Sequence, residues 1–495
     1  MDTPSNDRPK GSTGRIKKIL TPSARRMLFE RDLDEQIARD LPGICRIDRA
    51  HILMLAERGI VKGESAAALL RAIQRLMDER FEPLRSRPSR RGLFLLYEEY
   101  LIDTEGAAVG GLLQTGRSRN DLSATLARLR LRAPYQRLVR AGLRLSAVVI
   151  RRAEAYADTV MPAYTHGQCA EPITYGHYLA GVGEALRRDL DALLDAVREI
   201  DTCPLGAAAV AGSSVAIDPA RTASLLGFAR SSANSVDAVA SRDVVLRLLA
   251  AAAISGTTLS RVAADLLQWL TAEFQLLSLP DELVGSSSAM PQKRNPFLLE
   301  HVQGRTAAAL GALTTALAAT RSAPFTNAIA VGTESVRPVW AALRDVEDAT
   351  TLLRLVVSHA RPDAARMERR AVEGFTNATA VAVRLVLEKG MDFRSAHALV
   401  GAAVTDAMAL GLTSLEALAA EDPERFGVSL DDMTPAACVT RSRYGGGPAP
   451  ETLARTTVDL RAAWSRQRRV MREQAAAWRA AEDRLDRAVD AFLTT

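Results

Sequence analysis

Apolar residues recur along most of this chain at helical spacing. Leu122, Leu126, Leu129 and Ala133 fall at i, i+4, i+7 and i+11, and the stripe resumes beyond Pro134 through Leu138, Leu145 and Val149. Side chains so spaced share one face of a helix. The segment therefore predicts one long helix, kinked where the proline removes a backbone donor. A second stripe runs through Leu179, Val182, Leu186, Leu190, Leu193 and Val197, and a third through Leu299, Val302, Leu310, Leu313 and Leu317. Ala and Thr fill the gaps, and small residues let neighbouring helices pack closely as a bundle. The two-residue alternation of strands is almost absent, and no internal repeat is visible. The expected fold class is all-α.

Loops and composition shifts divide the stripes. Residues 1–27 are basic and rich in Ser, Pro and Gly, with no apolar stretch, which predicts a flexible arm rather than a secretory signal. Residues 28–120 are expected to form an N-terminal domain of short helices and 121–370 the central long-helix bundle. Residues 371–495 follow with shorter helices and loops such as Arg443 to Pro448.

Composition then narrows the function classes. The 495 residues, at about 150 per domain, suit such a three-domain division. Hydrophobic residues make up 47% but aromatics only 5%, so Ala, Leu and Val must build the core. Sixty-four Lys and Arg against 58 Asp and Glu leave a net +6, too small an excess for a nucleic-acid specialist. The basic stretch within 8–26 lacks the aromatic interleaving that single-strand binding would use. Cys45, Cys169, Cys203 and Cys438 show neither a disulfide framework nor metal-ligand spacing, and the six histidines do not pair at HxxxH spacing. No charge-free apolar run reaches about 18 residues, so no transmembrane helix is indicated. The expectation is a cytoplasmic protein without metal, membrane or nucleic-acid partner.

Candidate chemistry lies in polar, Gly-punctuated segments between the stripes. Thr115 to Asp121 packs Arg117, Ser118, Arg119 and Asn120 just before a helix, where anions are attracted and Arg adds bidentate carboxylate recognition. Read alone, it is equally a solvated capping loop. Thr165, His166, Gly167 and Gln168 offer a group that titrates near neutrality, although a lone histidine is more often structural. The small-residue loop from Pro204 to Ser214, followed by Asn234 to Asp237 and Ser241-Arg242-Asp243, fits close backbone packing as well as ligand contact. Gly285 to Pro296 is the most specific. Its triple serine could open and close, while Lys293, Asn295 and the start of the helix carrying Glu300 would stabilise a serine alkoxide acting as base. Together these segments favour a carboxylate-bearing substrate and proton abstraction beside a carboxylate, with no cofactor, since no GxGxxG or P-loop is present.

These residues resemble a known family. Ser286-Ser287-Ser288-Ala289-Met290-Pro291-Gln292-Lys293-Arg294-Asn295-Pro296 is similar to the GSSxMPxKxNP loop of the fumarase/aspartase superfamily. TGRSRND, YTHGQCAEPITYGH, PLGAAAVAGSSVAID, NSVDAVASRD and GFTNATAVAVRLVLEKGMDFRSAHALVG resemble, in order, the argininosuccinate lyase branch over about residues 28 to 450. The resemblance implies a three-domain α-helical subunit, a homotetramer built on the central helices, and active sites composed from different subunits. It also implies anti elimination of fumarate from an N-substituted succinate, or the reverse addition of an amine. Ser287 then matches the general base, with Ser286 where the signature usually has Gly. Lys293 and Asn295 match the groups that stabilise the aci-carboxylate dianion. Ser118, Asn120 and Thr165 match fumarate-holding positions; His166 and Glu300 match a paired histidine and glutamate. Arg117 and Gln168 belong to the same matching motifs.

Departures from the family pattern are equally informative. Argininosuccinate lyases carry a PLAYNxDxQEDK-like segment whose Tyr, Gln and Lys grip the amino-acid end. Here Pro324 to Val336 contains none of the three, and Asn327 and Thr333 are the polar candidates for that half. Asp48 stands where the family has a serine, and the family's EDxH reads Arg91-Gly92-Leu93-Phe94. The expectation is a carbon–nitrogen lyase that keeps the fumarate half and has rebuilt the other. A true argininosuccinate lyase with a divergent pocket, and a non-catalytic crystallin-like protein keeping the fold, are the alternatives.

Overall fold

The structure, a computed structural model, describes residues 18–494. Residues 1–17 of the expected arm lie outside the described residues; within the rest of it, Pro22–Arg25 forms a short helix. Numbering helices of ten or more residues, the N-terminal region contains α1 (Leu33–Glu57), α2 (Gly63–Asp78) and α3 (Leu93–Glu105). Their apolar faces close over one cluster that includes Ile37, Leu41, Leu69, Ile73 and Tyr97.

The centre is a bundle of α4 (Arg119–Ala155), α5 (Tyr175–Ala196), α6 (Asp243–Trp269), α7 (Phe297–Arg321) and α8 (Val339–His359). α6 packs on α7, α7 on α8, α8 on α4 and α4 on α5. Of the three predicted stripes, Leu138, Leu145, Val149, Leu179, Leu186, Leu190, Leu299 and Val302 are buried in this core, whereas Leu122 faces the N-terminal cluster and Leu310 and Leu317 of the third stripe are exposed. Pro134 lies within α4 without ending it. α6 is long and apolar enough to cross a bilayer by composition alone, yet Leu248, Leu249, Leu259 and Leu266 bury its apolar face in the bundle.

α9 (Ala364–Glu373) buries Met367 in the bundle core, and a third cluster gathers α10 (Ala378–Lys389) and α11 (Phe393–Ala409), with Val381, Leu385, Val400 and Leu415 among its buried residues. The expectation of shorter helices throughout 371–495 is corrected by α12 (Pro450–Thr494), a single helix of 45 residues. Leu453, Met471 and Trp478 join the bundle core, whereas Leu485 and Val489 join the N-terminal core. Strands are few and short. The principal pair is an antiparallel hairpin of β1 (Val160–Thr165) and β2 (Gln168–Thr174) between α4 and α5. The protein is all-α in class, with a helical bundle at its centre.

Candidate active site

The start of α4 is a knot of side chains and backbone. Ser118 is extended at the N-cap, and its Oγ accepts from the Asn120 N–H at 3.3 Å, while Asp121 accepts from the Ser118 N–H at 3.0 Å. This reciprocal box satisfies amides that a helix start leaves unpaired. The second Asp121 oxygen accepts from the N–H groups of Gly206 at 3.1 Å and Ala208 at 2.9 Å. Burial pushes the Asp121 pKa up, and those backbone donors pull against it. One carboxylate thus ties the helix start to the small-residue loop. Gly206 has φ of +107°, and a Cβ there would meet the Pro219 ring at 2.8 Å, so the loop requires glycine.

Asn120 is held on both sides of its amide. Its Nδ2 donates to Ala209 O at 2.9 Å, and its Oδ1 accepts from Asn327 Nδ2 at 3.0 Å. Sequence positions 207 residues apart therefore share one locus. Arg242 lies beneath them. It is 1% exposed, and a Cβ on Gly332 would sit 3.5 Å from both Arg242 Nη2 and Asn327 Oδ1. Arg242 Nη1 donates to Val239 O and Ser241 O, but Nε and Nη2 have no hydrogen-bond partner. Burial lowers its pKa to about 10, which leaves it cationic at neutral pH. An unpaired buried guanidinium projects positive potential toward any anion above it.

Arg117 and Asp48 turn out to be each other's partners. Arg117 Nη1 meets Asp48 Oδ1 at 2.5 Å, and both side chains are fully buried. Burial pushes Asp48 up while Arg117 pulls it down. His51, beside this pair, is depressed to about 3 by burial and by the Arg117 charge. It is therefore neutral at pH 7, and its Nε2 donates to Thr115 O at 2.8 Å. Asp48 and Arg117 brace the Thr115 turn from below rather than opening to solvent.

Thr165, His166 and Gln168 occupy the exposed tip of the hairpin. His166 (φ 54°) and Gly167 (φ 75°) are both left-handed, as a two-residue type I′ turn demands, with Thr165 opposite Gln168. The base is anchored by buried Met161, by the Tyr164 ring 5.6 Å from that of Phe274, and by Cys169 against Gly374. A rigid stem thus presents three polar side chains to the outside.

The serine loop is pinned at its base, where Gly285 and Asn295 exchange both backbone hydrogen bonds, at 2.8 and 2.9 Å. Arg294 reinforces this through Asp281 and Leu279 O. Inside the loop, Ser287 Oγ accepts from the N–H groups of Met290 at 3.0 Å and Ala289 at 3.3 Å. Those donors would stabilise an alkoxide on this oxygen. Ser287 and Asn295 are half-buried; Lys293 and Glu300, the latter in the first turn of α7, are exposed.

Among the described residues no hydrogen bond or ion pair links the hairpin tip, the serine loop and the Asn120–Asn327 pair within one chain. The structure brings Asn120 to Asn327 and Arg117 to Asp48, but His166 is not joined to Glu300. Also among the described residues, no group of three His, Cys, Asp or Glu side chains is placed to hold a metal. Sequence reasoning passed over two residues. Asp121 closes the Thr115-to-Asp121 segment that also reads as a capping loop, and Arg242 stands in the Ser241-Arg242-Asp243 segment, but its burial depends on tertiary packing.

The chain matches the lyase family model over residues 96–311 and the argininosuccinate lyase C-terminal model over residues 375–440. It is 36% identical over 459 residues to the argininosuccinate lyase of Methanoculleus marisnigri, covering 89% of this chain and 90% of that relative. For the argininosuccinate lyase of Halorhodospira halophila the identity is 34% over 449 residues, covering 89% and 94%. EDDS lyase in complex with formate superposes with a TM-score of 0.85 at 30% identity, covering 97% of each chain. An EDDS lyase variant with bound fumarate matches at 0.85 and 31%, covering 98% of each. The class II fumarase of Schistosoma mansoni, at 16% identity and a TM-score of 0.65 over 81% of this chain and 90% of that one, shares the fold.

Proposed function

The chain belongs to the argininosuccinate lyase family, within the fumarase/aspartase superfamily, and from that premise we propose a reaction and a division of labour among its residues. The protein is a fumarate-releasing carbon–nitrogen lyase. The observation that carries the mechanism is Ser287 Oγ, fixed by the N–H groups of Ala289 and Met290 in a loop that also bears Lys293 and Asn295. Ser287 as alkoxide removes the Cβ proton of an N-substituted aspartate. The electron pair moves onto the adjacent carboxylate, and the resulting dianion is stabilised by Lys293 and Asn295 as its charge develops. The Cα–N bond then breaks, giving fumarate and the amine, which leaves with a proton. Ser118, Asn120, Thr165 and Gln168 hold the carboxylates, Arg242 supplies positive potential beneath Asn120 and Asn327, and His166 with Glu300 completes the wall.

Among the described residues no hydrogen bond or ion pair joins the start of α4, the hairpin tip and the serine loop within one subunit, and we assemble them across the subunits of a homotetramer. Ile254 on α6 and Leu310 and Leu317 on α7 are 59%, 59% and 47% exposed, an apolar face suited to helix packing between subunits. The free thiols suit a reducing cytoplasm. The favoured substrate is an aspartate whose nitrogen substituent differs from that of argininosuccinate, because Pro324 to Val336 lacks the gripping Tyr, Gln and Lys. Identity of 36% to a protein named argininosuccinate lyase favours argininosuccinate itself as the second reading. Fumarate absorbance with argininosuccinate and with other N-substituted aspartates separates the two. Turnover of argininosuccinate at rates ordinary for the family would reject the favoured substrate. Ser287→Ala is expected to lower kcat by about 10²- to 10⁴-fold, the range for loss of a positioned base. Full activity in that variant would reject the mechanism.

A further inference from the structure

The segment from Pro324 to Glu334 is held against the fumarate half of the site by the Asn327–Asn120 hydrogen bond of 3.0 Å. Two large apolar side chains flank that bond in sequence: Phe325 is 70% exposed and Ile329 is 71% exposed. Such openness is unfavourable in water unless something apolar covers the side chains. The local charge is also one-sided. From Pro324 to Thr333 the chain carries no charged residue. Beneath it lies Arg242, with two guanidinium nitrogens lacking any hydrogen-bond partner. A cationic group placed above would meet like charge, and the segment's carboxylate, Glu334, lies at its far end beside the Arg337 guanidinium at 4.0 Å.

We infer that the substituent on the substrate nitrogen is apolar and uncharged, an alkyl or arylalkyl group seated against Phe325 and Ile329. The inference rests on the fumarate-releasing reaction proposed above and names its amine class. A carboxylate held at Asn120 places the scissile C–N bond within a few atoms of the Asn327 segment, so whatever the nitrogen carries extends along it. Phe325 and Ile329 are the large side chains that segment leaves exposed to meet it.

The test uses the full-length enzyme in the addition direction, following fumarate consumption with hexylamine, benzylamine, 1,2-diaminoethane, glycine and arginine. Hexylamine and benzylamine are expected to exceed the other three in kcat/KM by at least about 10-fold, the discrimination an apolar pocket supplies. Ile329→Asp is expected to reverse the order of hexylamine and 1,2-diaminoethane, with Phe325→Asp as a second variant should the first not fold. A wild-type preference for the diamine, glycine or arginine would overturn the inference while leaving the lyase reaction standing. So would an order unchanged by both variants. Absence of fumarate consumption with every amine, together with no fumarate release from argininosuccinate, would remove the underlying reaction and the inference with it.

Discussion

The start of α4 and the two exposed carriers, the hairpin tip and the serine loop, supply the same proposed site by opposite means. Around Ser118 and Asn120 the side chains are tied into the subunit: Asp121 receives backbone N–H groups from two segments, Asn120 is bonded on both sides, and Arg117 is paired with Asp48 below. Thr165, His166, Lys293 and Glu300 instead project from stiff stems with their heads in solvent. In the proposed composite site, one half is fixed within the subunit and the other is presented outward from it. Stability and activity should therefore separate cleanly between the two regions.

The largest effect on stability is expected from Asp48→Ala, which leaves the Arg117 guanidinium buried and unpaired. Urea denaturation should show a loss of about 3–5 kcal/mol. The double replacement Asp48→Ala with Arg117→Met should recover much of it; failure to recover would mean that the pair is not the reason.

Next comes a pH effect. His51 is held at about 3 when folded against an ordinary 6.5, so between those values the unfolded chain binds the extra proton. The stability that His51 contributes is complete above pH 6.5 and is lost as pH falls toward 3, with a slope of up to about 1.4 kcal/mol per pH unit. His51→Gln, which can still donate to Thr115 O, should flatten that slope, and an unchanged acid limb would contradict the assignment.

Asn327→Ala removes one neutral hydrogen bond to Asn120. It should cost about 1 kcal/mol, read as a several-fold rise in the KM for fumarate with little change in melting temperature. The smallest stability change belongs to His166→Ala. At an exposed tip it should alter unfolding free energy by no more than about 0.5 kcal/mol while depressing kcat. A destabilisation as large as that of Asp48→Ala would collapse the contrast between the two regions.

What could be read before folding divides along similar lines. The bundle was legible because Leu179 to Val197 and Leu299 to Leu317 repeat with the helix itself, a signal contained in neighbouring residues. The serine loop was legible because its chemistry is concentrated within a dozen positions. α12 was not, since its buried line includes Thr457, Gln467 and several alanines among Leu453, Leu460, Met471 and Leu485, which blurs the apolar stripe. Asp48 looked like a substrate contact because nothing local shows that Arg117, 69 positions away, would neutralise it inside a core. The burial of Arg242 is hidden for the same reason: distant pairing is a property of packing, not of adjacent residues.

α12 has a consequence for the order in which the molecule is made. Arg46 and Arg49 on α1 pair with Glu482 and Asp486, and the Arg46 contact spans 436 positions. Leu485 and Val489 fill the core first outlined by α1 and α2. During synthesis the N-terminal helices therefore leave the ribosome with part of their apolar face uncovered, and they stay so until almost the whole chain has followed. Such a long loop closure is slow. The newborn N-terminal region is thus the segment on which a chaperone has the longest time to act.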